Sequence, residues 1–280
     1  MCLLTNFVGG NYMLKWAIFS PHPPLLIPEI GKQMLSQVEK TKNSLEQVFA
    51  KVHNVDTIIV ITPHGFASEN AITCYQTDML NGALTDFSGG CPVIELTVDQ
   101  DLNEMINQTA DNQNIDVNWI TKNSLKFSEE LLDHGSYVPL YYALKNLTST
   151  PRIVVINPGF VTIDALWQFG EALQSQLADT KKDIGLIISG DLSHRLTQGA
   201  PAGYHPEAYK FDQEIKDIIE QGPLSRLKKL SSQLLSTAGE CGYRPLILGS
   251  GMLDNLNLSD KQVLSYEGPF GVGYLVARLF

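Results

Sequence analysis

An α/β fold, a single domain with a mostly parallel central sheet flanked by helices, is what this chain predicts, and three observations predict it. Four short apolar runs, KWAIFS, TIIVIT, RIVVIN and IGLIIS, have the make-up of strands buried on both faces, which parallel sheets produce. Helix-length segments with apolar residues at helical spacing separate them. At 280 residues, 44% hydrophobic and 18% charged, the chain can bury one large core, about 75% of the surface it exposes when unfolded.

The elements follow in chain order. MCLLTNFVGGNY lacks the basic start and the cleavage site of a secretory signal, so residues 1–13 read as an untargeted leader that need not be ordered, with Met13 a candidate start; residues 14–280 read as the domain. KWAIFS (15–20) is the first strand, residues 31–52 a helix, TIIVIT (57–62) the second strand and PVIELTVD (92–99) a further one. After His134 comes a helix whose Val138, Leu140, Tyr141 and Leu144 pack inward, with Asp133 and Ser136 placed to cap it. RIVVIN (152–157), a helix over 162–178 and IGLIIS (184–189) continue the alternation. Pro206 suits the first position of a helix running to about Glu220. An apolar helical stretch follows Glu240, and residues 263–280 read as strands broken by the Gly-Pro turn in EGPFG. No linker, composition shift, low-complexity tract or fixed-period repeat divides the chain.

Charge and composition exclude several functions. A net charge of −10 with no basic stripe repels phosphate backbones, so no nucleic-acid partner is expected. No apolar run reaches the roughly 18 residues of a membrane span. Cys2, Cys74, Cys91 and Cys241 show no C-x-x-C spacing, which argues against a structural zinc site or a disulfide framework and for a reducing cytoplasm.

Three histidines, His22, His64 and His194, fall just beyond apolar runs, where the loops of an open α/β sheet converge on ligands. Pro21, Pro23, Pro24 and Pro63 stiffen the backbone around the first two, and rigid placement is what metal ligands need. Two neutral imidazoles and one carboxylate on one face of an iron leave positions open for other ligands. Glu240, between Gly239 and Gly242, offers that carboxylate, since a buried carboxylate needs a partner and a cation supplies one. Each of these residues also has an ordinary reading, a loop histidine or a solvated Glu at a helix start. His134 has a comparable alternative as a bystander to the cap of its helix, while His53 reads as a surface residue and His205 as a neighbour of the His194 loop.

SPHPPLLIP, TPHG, DHGSYVPL, SGDLSHRL and AGECGYRPL, in this order over roughly residues 14–280, resemble the class III extradiol ring-cleavage dioxygenases typified by the catalytic subunit of protocatechuate 4,5-dioxygenase. The resemblance implies a single α/β domain, Fe(II) held by His22, His64 and Glu240, His194 as catalytic acid/base, and His134 lining the pocket for substrate and oxygen. It implies meta cleavage of a catechol-type aromatic with O2, and partners limited to a small aromatic diol, O2 and either further copies of the chain or a small accessory subunit. ECGYRP also resembles the corresponding segment of the Memo proteins, in which a cysteine replaces the glutamate. That leaves Glu240 and Cys241 as rival third ligands, and a metal-binding or redox protein, or a zinc hydrolase, as rival functions.

Overall fold

Continuous apolar runs make the strands, and alternation within each run makes two cores. In β1, Ala17 and Phe19 enter one apolar cluster while Trp16 and Ile18 enter the other; β2 divides likewise, Ile59 and Ile61 from Ile58 and Val60. A sheet covered on both faces requires this. The computed structural model describes residues 13–87, 90–124 and 131–280. The leader expected over 1–13 lies outside them except for Met13.

In chain order the elements are β1 (Leu14–Ser20), α1 (Pro28–Gly31), α2 (Glu39–Phe49), β2 (Thr57–Ile61), β3 (Ala71–Gln76), β4 (Met79–Gly82), β5 (Ile94–Thr97), α3 (Gln100–Gln113), β6 (Asp116–Thr121), α4 (His134–Leu144), β7 (Arg152–Asn157), α5 (Ile163–Leu177), β8 (Ile184–Ser189), α6 (Tyr209–Gln221), α7 (Ser232–Ala238), α8 (Tyr243–Leu253), β9 (Gln262–Glu267) and β10 (Tyr274–Arg278). Eight strands form one sheet in the order β6-β3-β7-β2-β8-β1-β10-β9. The middle four, β7, β2, β8 and β1, run parallel. β3 is antiparallel to β7 and β10 to β1, so the architecture is the mostly parallel, helix-flanked α/β domain that the sequence predicts.

Four expectations are corrected, one of them Pro206, which stands in a turn ahead of α6 and not at its first position. The helix over 31–52 is broken: α1 ends at Gly31, a 3-10 turn covers Lys32–Val38, and α2 begins at Glu39. Ser36 Oγ turns back onto the Gln33 carbonyl there, and Lys32 takes a positive φ of 46°. The strand over 92–99 forms, but as β5 of a separate two-stranded antiparallel sheet with β4, touching the main sheet through a bridge from Val98 to Ile153. His134 opens α4 instead of preceding it, with Asp133 as the N-cap. The short strands β3, β4 and β6 and the helix α3 have no counterpart in the sequence reading. Among the described residues no helix is long and apolar enough to cross a membrane.

Candidate metal centre

Because β1, β8 and β2 lie side by side and parallel, the loops leaving their carboxyl ends open into one crevice. His22 leaves β1, His64 leaves β2, and Ser189, Asp191 and His194 come from the end of β8 between them. Pro23 keeps extended backbone after His22 (φ −63°, ψ 130°), and the His22 main-chain N–H donates to Asp191 Oδ1 at 3.1 Å.

The imidazole of His22, 1% exposed, is fixed through Ser189. Ser189 Oγ lies 2.5 Å from the Gly135 carbonyl and 2.9 Å from His22 Nδ1. A hydroxyl has one proton and the carbonyl can only accept, so that proton goes to Gly135 and His22 Nδ1–H donates to Ser189. Nε2 is then left bare, the tautomer and second partner of a metal-ligating histidine.

His64 is held from its main chain. Its N–H donates to Thr62 Oγ1 at 3.2 Å, Thr62 Oγ1 donates to Asp133 Oδ1 at 3.0 Å, and Asn157 Nδ2 donates to the His64 carbonyl at 2.8 Å. The result brings its Nε2 to 3.0 Å from that of His22. Two lone pairs this close repel unless a proton or a cation lies between them. Two nitrogens each about 2.1 Å from one ion, at about 90° to each other, would stand about 3.0 Å apart, so this pair fits a shared divalent ion.

Two overlapping donor groups surround the pair, each with its ligand atoms within 4.8 Å of one another: His22, His64 and His134, and His22, Asp191 and Cys241. Asp133 caps α4 by accepting the Ser136 N–H at 3.1 Å, which places the His134 ring 4.2 Å from that of His64. Asp191 Oδ2 lies 3.8 Å from His22 Nε2. Cys241 Sγ is 3.6 Å from His22 Nε2 and 3.8 Å from His194 Nε2, so the thiol stands between the two imidazoles. A Cβ on Gly190 would come within 2.2 Å of the Gly242 Cα. Two glycines thus allow the α7–α8 connection to approach the end of β8 and bring Cys241 into the crevice.

Glu240 is in neither group. Its Oε2 accepts the Tyr243 N–H at 2.6 Å and so serves the first turn of α8, while Asp191 and Cys241 face the histidines. The sequence reading did not single out Asp191; its signal was an acid inside SGDLSH, between a buried strand and His194. His53 is exposed, and its carbonyl accepts from the Trp16 indole at 3.1 Å. His205 Nδ1 accepts the Glu207 N–H at 3.2 Å, a local turn. Neither is a member of the donor groups.

Burial dominates the electrostatics. It holds His22 well below the usual imidazole range, helped by repulsion from His64, His134 and His194. Burial and His134 lower His64 to about 4 against the pull of Asp133. Burial likewise lowers His134 and His194. It raises Asp191 to about 7, opposed by the His22 N–H, and lifts the Cys241 thiol well above its ordinary value, with Asp191 adding to the effect. Neutral imidazoles beside a carboxyl and a thiol, with no Lys or Arg ion-paired to Asp191 among the described residues, are a donor set suited to a divalent cation.

The protein resembles others over most of its length. Against "Protein CA_C1420" of Clostridium acetobutylicum it is 32% identical over 276 residues, 97% of this chain and 57% of that protein, so the chain spans little more than half the length of this relative. The crystal structure of uncharacterized protein JW3007 from Escherichia coli K12 has the same fold, with a TM-score of 0.63 at 15% identity, covering 94% of this chain and 99% of that one. The family model described as the catalytic LigB subunit of aromatic ring-opening dioxygenase matches residues 16–277, and this chain belongs to that family.

Proposed function

We propose that the protein is a non-haem Fe(II)-dependent extradiol dioxygenase that opens a catechol-type ring with O2, its metal held where the two donor groups overlap, by His22 and His64 from one and the Asp191 carboxylate from the other in place of the Glu240 that the resemblance implies. The observation that carries this reading is the pair of Nε2 atoms 3.0 Å apart, one of them kept bare by Ser189. When bound, the metal supplies a centre on which diol and dioxygen align and over which charge spreads. His194, kept neutral by burial, takes a proton from a substrate hydroxyl and later returns it. His134 donates to the anion that develops, from a ring packed on His64. The partners are a small aromatic diol and O2, with further copies of the chain or a small accessory subunit. The free cysteines Cys74 and Cys241 support a cytoplasmic location.

The test is anaerobic loading with Fe(II), then oxygen uptake over a panel of catechols with mass analysis of the product. Stoichiometric uptake with a product heavier by both oxygen atoms is expected; bound iron without uptake on any catechol sinks the reading.

One observation favours a second reading. Cys241, and not Glu240, faces the histidines, and a thiolate prefers zinc or Cu(I) to ferrous iron. A metal-binding or redox protein resembling Memo would then keep the site without ring cleavage, and the same donors suit a zinc hydrolase. Cys241→Ser separates the readings. Unchanged iron content supports the dioxygenase, whereas loss of a tightly held zinc or copper supports the alternative.

A further inference from the structure

Beside Cys241 a pocket of about 160 Å³ opens between Pro63, Pro158 and Phe160, with Glu240 and Arg244 on its polar side. A cavity of about 150 Å³ holds one benzene ring, so this space, open on one side, has the size of a single six-membered ring.

Arg244 is occupied. Its Nε donates to the Gly159 carbonyl at 2.5 Å, its Nη2 donates to the Val161 carbonyl, and its guanidinium lies 5.6 Å from the centre of the Phe160 ring. It therefore braces the loop after β7 and, among the described residues, makes no ion pair with Glu240. Glu240 is only partly occupied. Burial raises its carboxyl to about 7 against the pull of the Tyr243 N–H and of Arg244; ionised, it offers about four acceptor positions. The N–H groups of Tyr243 and Gly242 take two, so the remaining lone pairs have no donor within the α8 turn.

We infer that Glu240 reads a hydrogen-bond donor on the substrate, so that the centre selects a monocyclic aromatic diol carrying a hydroxyl or ammonium substituent. This rests on the ring-opening reading given above. With both diol hydroxyls directed at the crevice, the ring fills the pocket past Cys241 and its substituent meets the carboxylate. A site built to accept a donor rejects the analogue that lacks one, because the acceptor loses water and gains nothing.

The experiment uses the full chain loaded with Zn(II) under argon, where binding is read by calorimetry without turnover. The probes are 3,4-dihydroxybenzyl alcohol, 3,4-dihydroxybenzylamine, 4-methylcatechol and 2,3-dihydroxynaphthalene. The alcohol and the amine should bind at least about tenfold tighter than 4-methylcatechol, and the fused ring should not bind. Glu240→Gln keeps an acceptor for the Tyr243 N–H but turns an NH2 group to the pocket. It should abolish that preference and improve binding of 3,4-dihydroxybenzaldehyde, whose carbonyl accepts. Equal affinities across the wild-type monocyclic series, or a preference that survives in Glu240→Gln, would overturn the inference and leave the ring-opening reading standing. If no diol binds the loaded protein, the ring-opening reading fails and the inference with it.

Discussion

Ser189 Oγ accepts a hydrogen bond from His22 Nδ1–H at 2.9 Å and donates one to the Gly135 carbonyl at 2.5 Å. That chain of two hydrogen bonds links the end of β8 to the start of α4 and leaves Nε2 of His22 bare toward the proposed metal. Ser189→Ala should remove the acceptor, free the ring to turn, and lower Zn(II) affinity about 10- to 100-fold, the usual effect of losing such a partner. Chelator competition measures it. An affinity equal to wild type would mean that His22 is oriented by packing alone.

His194 lies 3.8 Å from Cys241 Sγ and belongs to neither donor group around His22. His194→Ala should therefore keep its metal by elemental analysis and still bind a catechol, while turnover drops at least about a hundredfold, the lower end for a general acid/base. Metal loss in this variant would make His194 a ligand and undo the division of roles.

Gly190 and Gly242 meet backbone to backbone, and a methyl group on Gly190 has no flexible side chain to displace. Gly190→Ala should cost about 1–3 kcal/mol in urea unfolding, the scale of overpacking a tight contact. By disturbing the strand end that carries Asp191 it should also weaken metal binding. A destabilised variant with unaltered metal affinity would show that this contact does not position the donors of the centre.

Asp212, 1% exposed, accepts the Ser193 N–H at 2.8 Å and the Tyr266 hydroxyl at 2.6 Å, yet burial raises its carboxyl to about 6. Between its unfolded value near 4 and about 6, the folded state holds a proton that the unfolded state has released. Stability from this group therefore falls as pH rises through that window, and the loss is complete above it. Asp212→Asn retains an acceptor for Ser193 and cannot ionise. Its unfolding free energy relative to wild type should rise by about 2 kcal/mol from pH 4.5 to 7.5, from roughly 1.4 kcal/mol per pKa unit. A difference independent of pH would show that the folded carboxyl titrates normally.

The sequence by itself determined the central strands. RIVVIN and IGLIIS coincide with β7 and β8 because a strand buried on both faces must be apolar at every position, a pattern that composition shows directly. It also placed His22 and His64 at strand ends, since a proline beside a histidine after such a run leaves few backbone paths. Strands β4 and β6 escaped notice because their positions alternate between buried and exposed or half-buried, and short alternating segments resemble loops in a single sequence. What only the tertiary structure decided is which side chains share the crevice. Glu240 and Cys241 are neighbours in the chain, and their different partners follow from the α8 turn that takes the Glu240 carboxylate and from the contact of Gly190 with Gly242 that brings the thiol toward His22 and His194. Asp191 and Ser189 acquire their places because β8 lies between β1 and β2, an order set by long-range strand pairing and by no local pattern of residues.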